Sequence, residues 1–298
     1  MGSEPIVLAG QYGSPYTLKM RGVLRYRHIP FRWMLRGSKW DDLPDPHVAI
    51  IPVIAYPTDD GAGYRDVTVD SSPQITRLEG EYAGRSIVPT DPALAFVDSL
   101  IEDFADEWLT KALYHYRWAY ADDIAKAGRL VPLSSDLQVD SAQAQQMYAY
   151  ITQRQIGRRA LVGSTDWNTP IIEDSYRRLL ACMQARFARG DFLLGDRPGR
   201  GDFGLYGQLT QLTRWDPTAV AVAVAVAPKV VNWVERMDDL SWLPITGDDG
   251  WGSIESLDPA GGVLLAEIGR TYAPFMIAKA QARKSGADDV VSEVDGRE

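Results

Sequence analysis

Hydrophobic and polar positions follow two regimes along the chain. Up to about residue 90, short strand-like runs alternate with helical ones: IVLAG (6–10), a helical pattern from Pro15 to Tyr26, FRWML (31–35), VIAYP (53–57), DVTV (66–69) and a helical pattern from Ser72 to about Tyr82. The order is βαβ followed by ββα. A full helix between the first two strands predicts a parallel pair with a right-handed crossover, whereas the DDGAG turn (59–63) predicts a hairpin between the third and fourth.

Beyond Pro89 the period becomes helical. Asp91 and Pro92 form a cap and first-turn pair, and Val97, Ile101, Phe104 and Trp108 then repeat along one face. Further helical patterns lie near 140–162, 170–188, 202–214 and 228–239. The run AVAVAVAVA (219–227) alternates like a strand, but it has no partner strand in view and its alanines favour helix, which is the expectation here. From about 244 the chain is Gly- and Asp-rich, then amphipathic over 264–284, then charged, with the last ten or so residues expected to be disordered. The expected organisation is a small α/β domain (1–88), an all-helical domain (89–243) and a C-terminal extension (244–298) with one helix and a disordered tail.

Composition narrows the function. In 298 residues, 45% are hydrophobic and the net charge is −9, a balance that repels nucleic-acid backbones and anionic membrane surfaces and leaves a small molecule as the expected ligand. Cys182 is the single cysteine, so no disulfide framework or thiolate zinc site is expected, and its setting in RRLLACMQARF reads as a core position. No basic segment precedes an apolar run at the N-terminus and no stretch reaches the length of a membrane span, so the expected location is cytoplasmic. MGSEP carries the Gly2 of a myristoylation pattern without its later hydroxyl residue. Neither metal nor nucleotide chemistry is expected. His28, His47 and His115 are scattered, and no Gly-rich phosphate loop occurs. Asp103 and Glu107 share a helix face, but without a second helix offering an EXXH motif they read as a solvated or interdomain face.

The candidate chemistry begins in LAGQYGSPYTLKMR (8–21), where a strand passes through a turn into a helix. Ser14 suits the N-cap and Pro15 the first helical position, and the unpaired amides of a helix N-terminus favour an anion placed there. Ile51 and Pro52 open the third strand. In VDSSPQI (69–75), Asp70, Ser71 and Ser72 precede Pro73, with Ser72 the expected cap of the second helix.

This order of strand, capped helix, strand, proline-opened hairpin and capped helix resembles the thioredoxin-like domain of glutathione transferases. Ser14, Pro15 and Tyr16 resemble the serine or cysteine, proline and aromatic segment of several classes. Ile51 and Pro52 match the hydrophobic residue and cis-proline, and Asp70 and Ser71 match the acidic residue and serine. FLLGDRPGRGDFGLYGQL (192–209) is similar to the buried capping segment and core helix, and PKVVNWVERMDDL (228–240) to the final regular helix. Two departures stand out. Gly199 occupies the usual Ser or Thr cap three residues before Asp202, and DPHVAIIP lacks the usual glycine and basic residue before Pro52.

The resemblance implies a homodimeric enzyme that uses glutathione as co-substrate, without a metal, against a small hydrophobic electrophile. Ser14 would donate a hydrogen bond to the glutathione thiolate, with Tyr12 as the alternative donor. Pro15, Ile51, Pro52, Asp70 and Ser71 would hold glutathione, with Ser72 as the alternative to Ser71. Tyr16, Tyr114 and Trp118 would face the electrophile. A non-catalytic protein of the same fold, with a structural or partner-binding role, is the main rival. A disulfide reductase is disfavoured because the first domain has no cysteine.

Overall fold

A computed structural model of the chain describes residues 4–254, 259–287, 290 and 292–296. Gly2 and parts of the terminal charged run lie outside the described residues. Strand β1 (Ile6–Gly10) pairs in parallel with β2 (Phe31–Leu35), Ile6 opposite Phe31, and helix α1 (Pro15–Tyr26) is the crossover. On its other edge β1 runs antiparallel to β3 (Val53–Pro57), which pairs antiparallel with β4 (Tyr64–Val69), giving the order β2-β1-β3-β4. The two-residue pleat sorts the side chains. Ile6, Leu8, Ile54 and Tyr56 join the main core, while Val7, Ala9, Val53 and Ala55 build a smaller one with Met34 and Leu43 on the opposite face.

The remaining elements are helical: α2 (Ser71–Glu81), α3 (Pro92–Phe104), a π turn (Ala105–Leu109), α4 (Thr110–Ala119), α5 (Ala121–Leu130), α6 (Ser141–Gly157), α7 (Thr169–Arg186), α8 (Arg200–Arg214), α9 (Pro217–Val226), α10 (Pro228–Met237), α11 (Pro259–Arg270) and α12 (Tyr272–Ser285). The fold class is the one expected, a small mixed sheet domain followed by helices. The alternating Ala-Val run is helix α9, which buries Ala219 and Ala223 four residues apart and leaves Val224 exposed.

Helix α8 is the centre of the molecule, with every residue from Gly201 to Thr213 buried. Gly207 permits its seat on α1, because a Cβ there would lie 2.7 Å from the Pro15 carbonyl oxygen and 3.0 Å from Lys19 Cβ. The α8 N-terminus explains the departure at Gly199. Asp202 accepts from the Gly199 and Leu193 amides at 3.0 and 3.1 Å. The missing cap hydroxyl is replaced from α3: Asp98 accepts from the Arg200 and Gly201 amides at 3.0 and 2.8 Å. A Cβ on Gly199 would meet Asp98 Oδ1 at 2.4 Å, so the glycine makes room for the carboxylate.

Two local expectations are corrected. Helix α2 begins at Ser71 rather than after Ser72, and its cap is Asp70, which accepts from the Ser72 amide at 3.3 Å. Pro73 then occupies the third helical position, where a missing N–H still costs nothing because the first four amides have no helical partner. The amphipathic stretch 264–284 is two helices, α11 and α12, parted at Thr271. Pro274 supplies the reason, since inside one continuous helix its ring would clash with the carbonyl of residue 270.

The segment after 244 is fastened to the helical domain. Buried Arg197 donates to the carbonyls of Gly247 and Asp249 at 2.8 and 3.1 Å, Arg178 pairs with Glu267 of α11 at 2.6 Å, and Tyr272 of α12 donates to Asp103. Among the described residues no single helix is long and apolar enough to cross a membrane; α9 and α10 pass such a test only as a pair bent by 114°, and both bury side chains in the core.

Candidate functional site

A cleft of about 420 Å³ opens where the α1 N-terminus and the loop before β3 face the helical domain. It brings together five of the residues singled out from the sequence: Tyr12, Ser14, Ile51, Tyr114 and Trp118. Pro15, Tyr16, Pro52, Asp70, Ser71 and Ser72 do not line it. The cleft adds residues that sequence patterns did not single out, among them Gln11 beside Tyr12 and, on its far wall, Arg117, Ser134, Gln155 and Trp215.

Ser14 has extended backbone geometry, and its hydroxyl oxygen accepts from the Thr17 amide at 3.3 Å, so it is the N-cap of α1, with Pro15 as first helical residue. Accepting leaves the hydroxyl proton free to donate. Ser14 is 9% exposed while Tyr12 is 54% exposed, its ring packed at 5.4 Å from Trp33. The buried hydroxyl at the helix end therefore has the fixed position, and the Tyr12 phenol stands at the rim. Tyr16 has a different place from the one expected: its hydroxyl donates to the Asp106 carbonyl at 2.8 Å, and burial pushes the phenol up to about 12. It links α1 to the π turn instead of lining the cleft.

Ile51 and Pro52 are joined by a cis peptide bond. Across the cleft, Tyr114 donates to the Gln155 carbonyl at 2.9 Å, tying α4 to α6. Arg117 is buried, paired with Asp216 at 2.9 Å and bonded to Gln211 at 2.9 Å, and its remaining amino group reaches the Gly13 carbonyl at 3.4 Å. A helical-domain guanidinium thus braces the turn that presents Ser14.

The α2 N-terminus has a separate polar network. Asp70 is exposed at φ 74, and Ser71 is buried with its oxygen accepting from Lys19 Nζ at 3.1 Å. Lys19 is itself fully buried and pairs with Glu102 at 2.7 Å and Asp106 at 2.6 Å. Ser72 donates to Glu102 at 3.1 Å, and Arg200 pairs with the other oxygen of Glu102. One lysine does not satisfy both carboxylates. Contacts with Lys19 and Arg200 hold Glu102 below the usual range against its burial, whereas burial pushes Asp106 up to about 6, and Asp106 Oδ1 has no hydrogen-bond partner. Because Lys19 donates to the Ser71 oxygen, the Ser71 proton remains available to an acceptor beyond it.

The acidic residues of α3 and the π turn divide by register, and the pair expected as a solvated or interdomain face, Asp103 and Glu107, lies on the outer one. Asp98, Glu102 and Asp106, four residues apart, turn inward, whereas Asp103 and Glu107 are exposed. Cys182 is buried on α7. Among the described residues no group of three or more His, Cys, Asp or Glu side chains could hold a metal ion.

Residues 144–236 match the family model of the glutathione S-transferase C-terminal domain. No curated protein matches the sequence. Similar solved structures include a glutathione transferase family member from Pseudomonas fluorescens with two glutathione bound, at 13% identity and a TM-score of 0.47, over 78% of this chain and 88% of that one. A glutathione S-transferase from Rhodospirillum rubrum is similar at 15% identity and a TM-score of 0.47, over 85% and 98%.

Proposed function

We propose that this protein is a glutathione transferase-like enzyme in which Ser14 stabilises the thiolate of bound glutathione for attack on a small apolar electrophile. The observation that carries the reading is the cleft that puts the buried Ser14 hydroxyl and the α1 N-terminus beside Ile51 and opposite Tyr114 and Trp118. Serine is too weak a base to take the thiol proton. Its hydroxyl instead donates to the sulfur, and the helix N-terminus adds favourable potential, so the proton leaves to solvent more readily. Each unit of thiol pKa depression corresponds to about 1.4 kcal/mol of preference for the anion.

In this reading Ile51 offers its backbone to the cysteinyl part of glutathione, as an added strand would. Asp70 takes the γ-glutamyl ammonium, and the α2 amides with Ser71 take its carboxylate. Lys19 positions the Ser71 hydroxyl from behind. Leu113, Trp118, Leu130, Val131 and Trp215 give the rest of the cleft an apolar lining suited to the second substrate. Homodimerisation belongs to the same proposal.

Calorimetric titration of glutathione into the wild type and Asp70→Ala tests the binding half. The reading expects micromolar to low-millimolar affinity, weakened about tenfold or more by Asp70→Ala through loss of a charge-assisted contact. Absence of binding at several-fold higher glutathione would leave Ser14 as a helix cap alone. One observation favours that second, non-catalytic reading: Asp70, Ser71 and Ser72, which glutathione binding would require, do not line the Ser14 cleft. It predicts no glutathione binding and no turnover for Ser14→Ala to remove.

A further inference from the structure

The C-terminal extension builds a second cleft with no residue in common with the Ser14 cleft. It has a volume of about 300 Å³ and lies between the π turn with α4, α7, α12 and the C-terminal residues Val290, Ser292 and Val294. Trp108, Ile171, Ile172 and Phe275 supply apolar walls, and Lys111 and Asn168 are polar groups within them. Trp108 is fixed by its indole N–H, which donates to Ser175 at 2.9 Å, and its ring meets Phe275 edge-on at 5.9 Å.

Lys111 is the unusual member. Its ammonium donates to the Val162 carbonyl at 3.2 Å and stands 4.4 Å from the Phe275 ring centre. Among the described residues no carboxylate forms an ion pair with it. A second cation, Lys279, stands over the same ring at 5.1 Å. An ammonium has three donors, and a cation in an apolar wall is costly without an anion beside it. Burial, followed by repulsion from Lys279, holds Lys111 below the usual lysine range, with Glu107 opposing. In a chain of net charge −9, two lysines thus converge where, among the described residues, no acidic side chain pairs with the inner one.

We propose that this cleft binds a small apolar organic anion, an aryl or short alkyl carboxylate, with its charged end on Lys111 and its hydrocarbon part among Trp108, Ile171, Ile172 and Phe275. The volume lies at the small end of ligand pockets, so the ligand is about the size of a one- or two-ring acid. A single inner cation with aromatic and aliphatic walls suits one carboxylate better than a polyphosphate, which needs several donors. The extension then has a specific use: Phe275 of α12 completes the site. The proposal is independent of whether the Ser14 cleft binds glutathione.

The test is calorimetric titration of the full chain with naphthoate and with its neutral counterpart naphthylmethanol, each with and without saturating glutathione. Naphthoate is expected to bind one site with a Kd between about 10 μM and about 1 mM, unaffected by glutathione, and more tightly than the alcohol. Lys111→Met keeps the length of the stem and should weaken naphthoate about tenfold while changing the alcohol less than about twofold. Lys279→Met, at an exposed position where folding is not at stake, should weaken naphthoate by about two- to fivefold. The proposal is overturned if naphthoate does not bind, if both probes bind alike, if glutathione displaces naphthoate, or if Lys279→Met and a folded Lys111→Met both bind it as the wild type does.

Discussion

Asp98 shows how one residue can compensate for another about a hundred positions away. Gly199 is legible in the sequence as a missing cap, but nothing local to it indicates that α3 supplies the acceptor. Removing it by Asp98→Ala should cost about 1–3 kcal/mol in chemical denaturation, because two buried amides lose their partner. Gly199→Ser, which restores the usual cap residue, should also destabilise the wild type, since its Cβ would meet Asp98 Oδ1 at 2.4 Å. In the Asp98→Ala background the same serine should be stabilising. A change of sign between backgrounds checks the account, and additive costs would refute it. Ser14 was legible because capping chemistry is local. The inward turn of Tyr16 onto the Asp106 carbonyl was not, because it depends on a helix from the other domain.

Helices α1 and α3 meet through opposite charges placed on apolar stripes. Tyr16, Lys19, Val23 and Tyr26 follow helical spacing along α1, so a lysine in that stripe was a sequence signal for a buried cation. The matching signal is Glu102 on α3 and Asp106 on the π turn that follows it, rather than the pair Asp103 and Glu107. Lys19→Met should cost about 3–5 kcal/mol, since it leaves Glu102 and Asp106 without their shared cation. Adding Glu102→Gln should recover part of that loss, as measured by urea unfolding.

The buried acids also make stability depend on pH. Burial raises Asp202 to about 7 and Asp106 to about 6, so the folded chain binds more protons than the unfolded one between about pH 4 and about pH 7. Their contribution is complete below the unfolded value and lost as pH rises through the folded ones. Asp98 and Asp216, also raised by burial, act in the same sense; His115, held by burial below the usual imidazole range, opposes them as it charges, and Glu102 and Asp238, held low, oppose them only in more acidic solution. Tm should therefore rise between about pH 8 and about pH 5, with Asp202→Asn flattening the upper part of that slope and Asp106→Asn the lower.

At the scale of the whole molecule, periodicity and turn chemistry made the element order, the strand pairing and the helical nature of α9 legible. The far wall of the Ser14 cleft was not: Arg117, Ser134, Gln155 and Trp215 carry no mutual spacing and converge only when α4, α6 and the segments after α5 and α8 pack together. The path of the extension was equally hidden, except for Pro274, whose meaning as a helix break the amphipathic period masked. The central claim concerns what the assembled cleft does to a thiol. Ultraviolet thiolate absorbance of glutathione bound at saturation, titrated against pH in the wild type and in Ser14→Ala, measures it directly. The account predicts a bound thiol ionising about one unit or more below the value of about 8.5 for a free cysteine, with most of that shift lost in Ser14→Ala. A bound thiol that ionises as it does in solution, or a shift unchanged by Ser14→Ala, would contradict it.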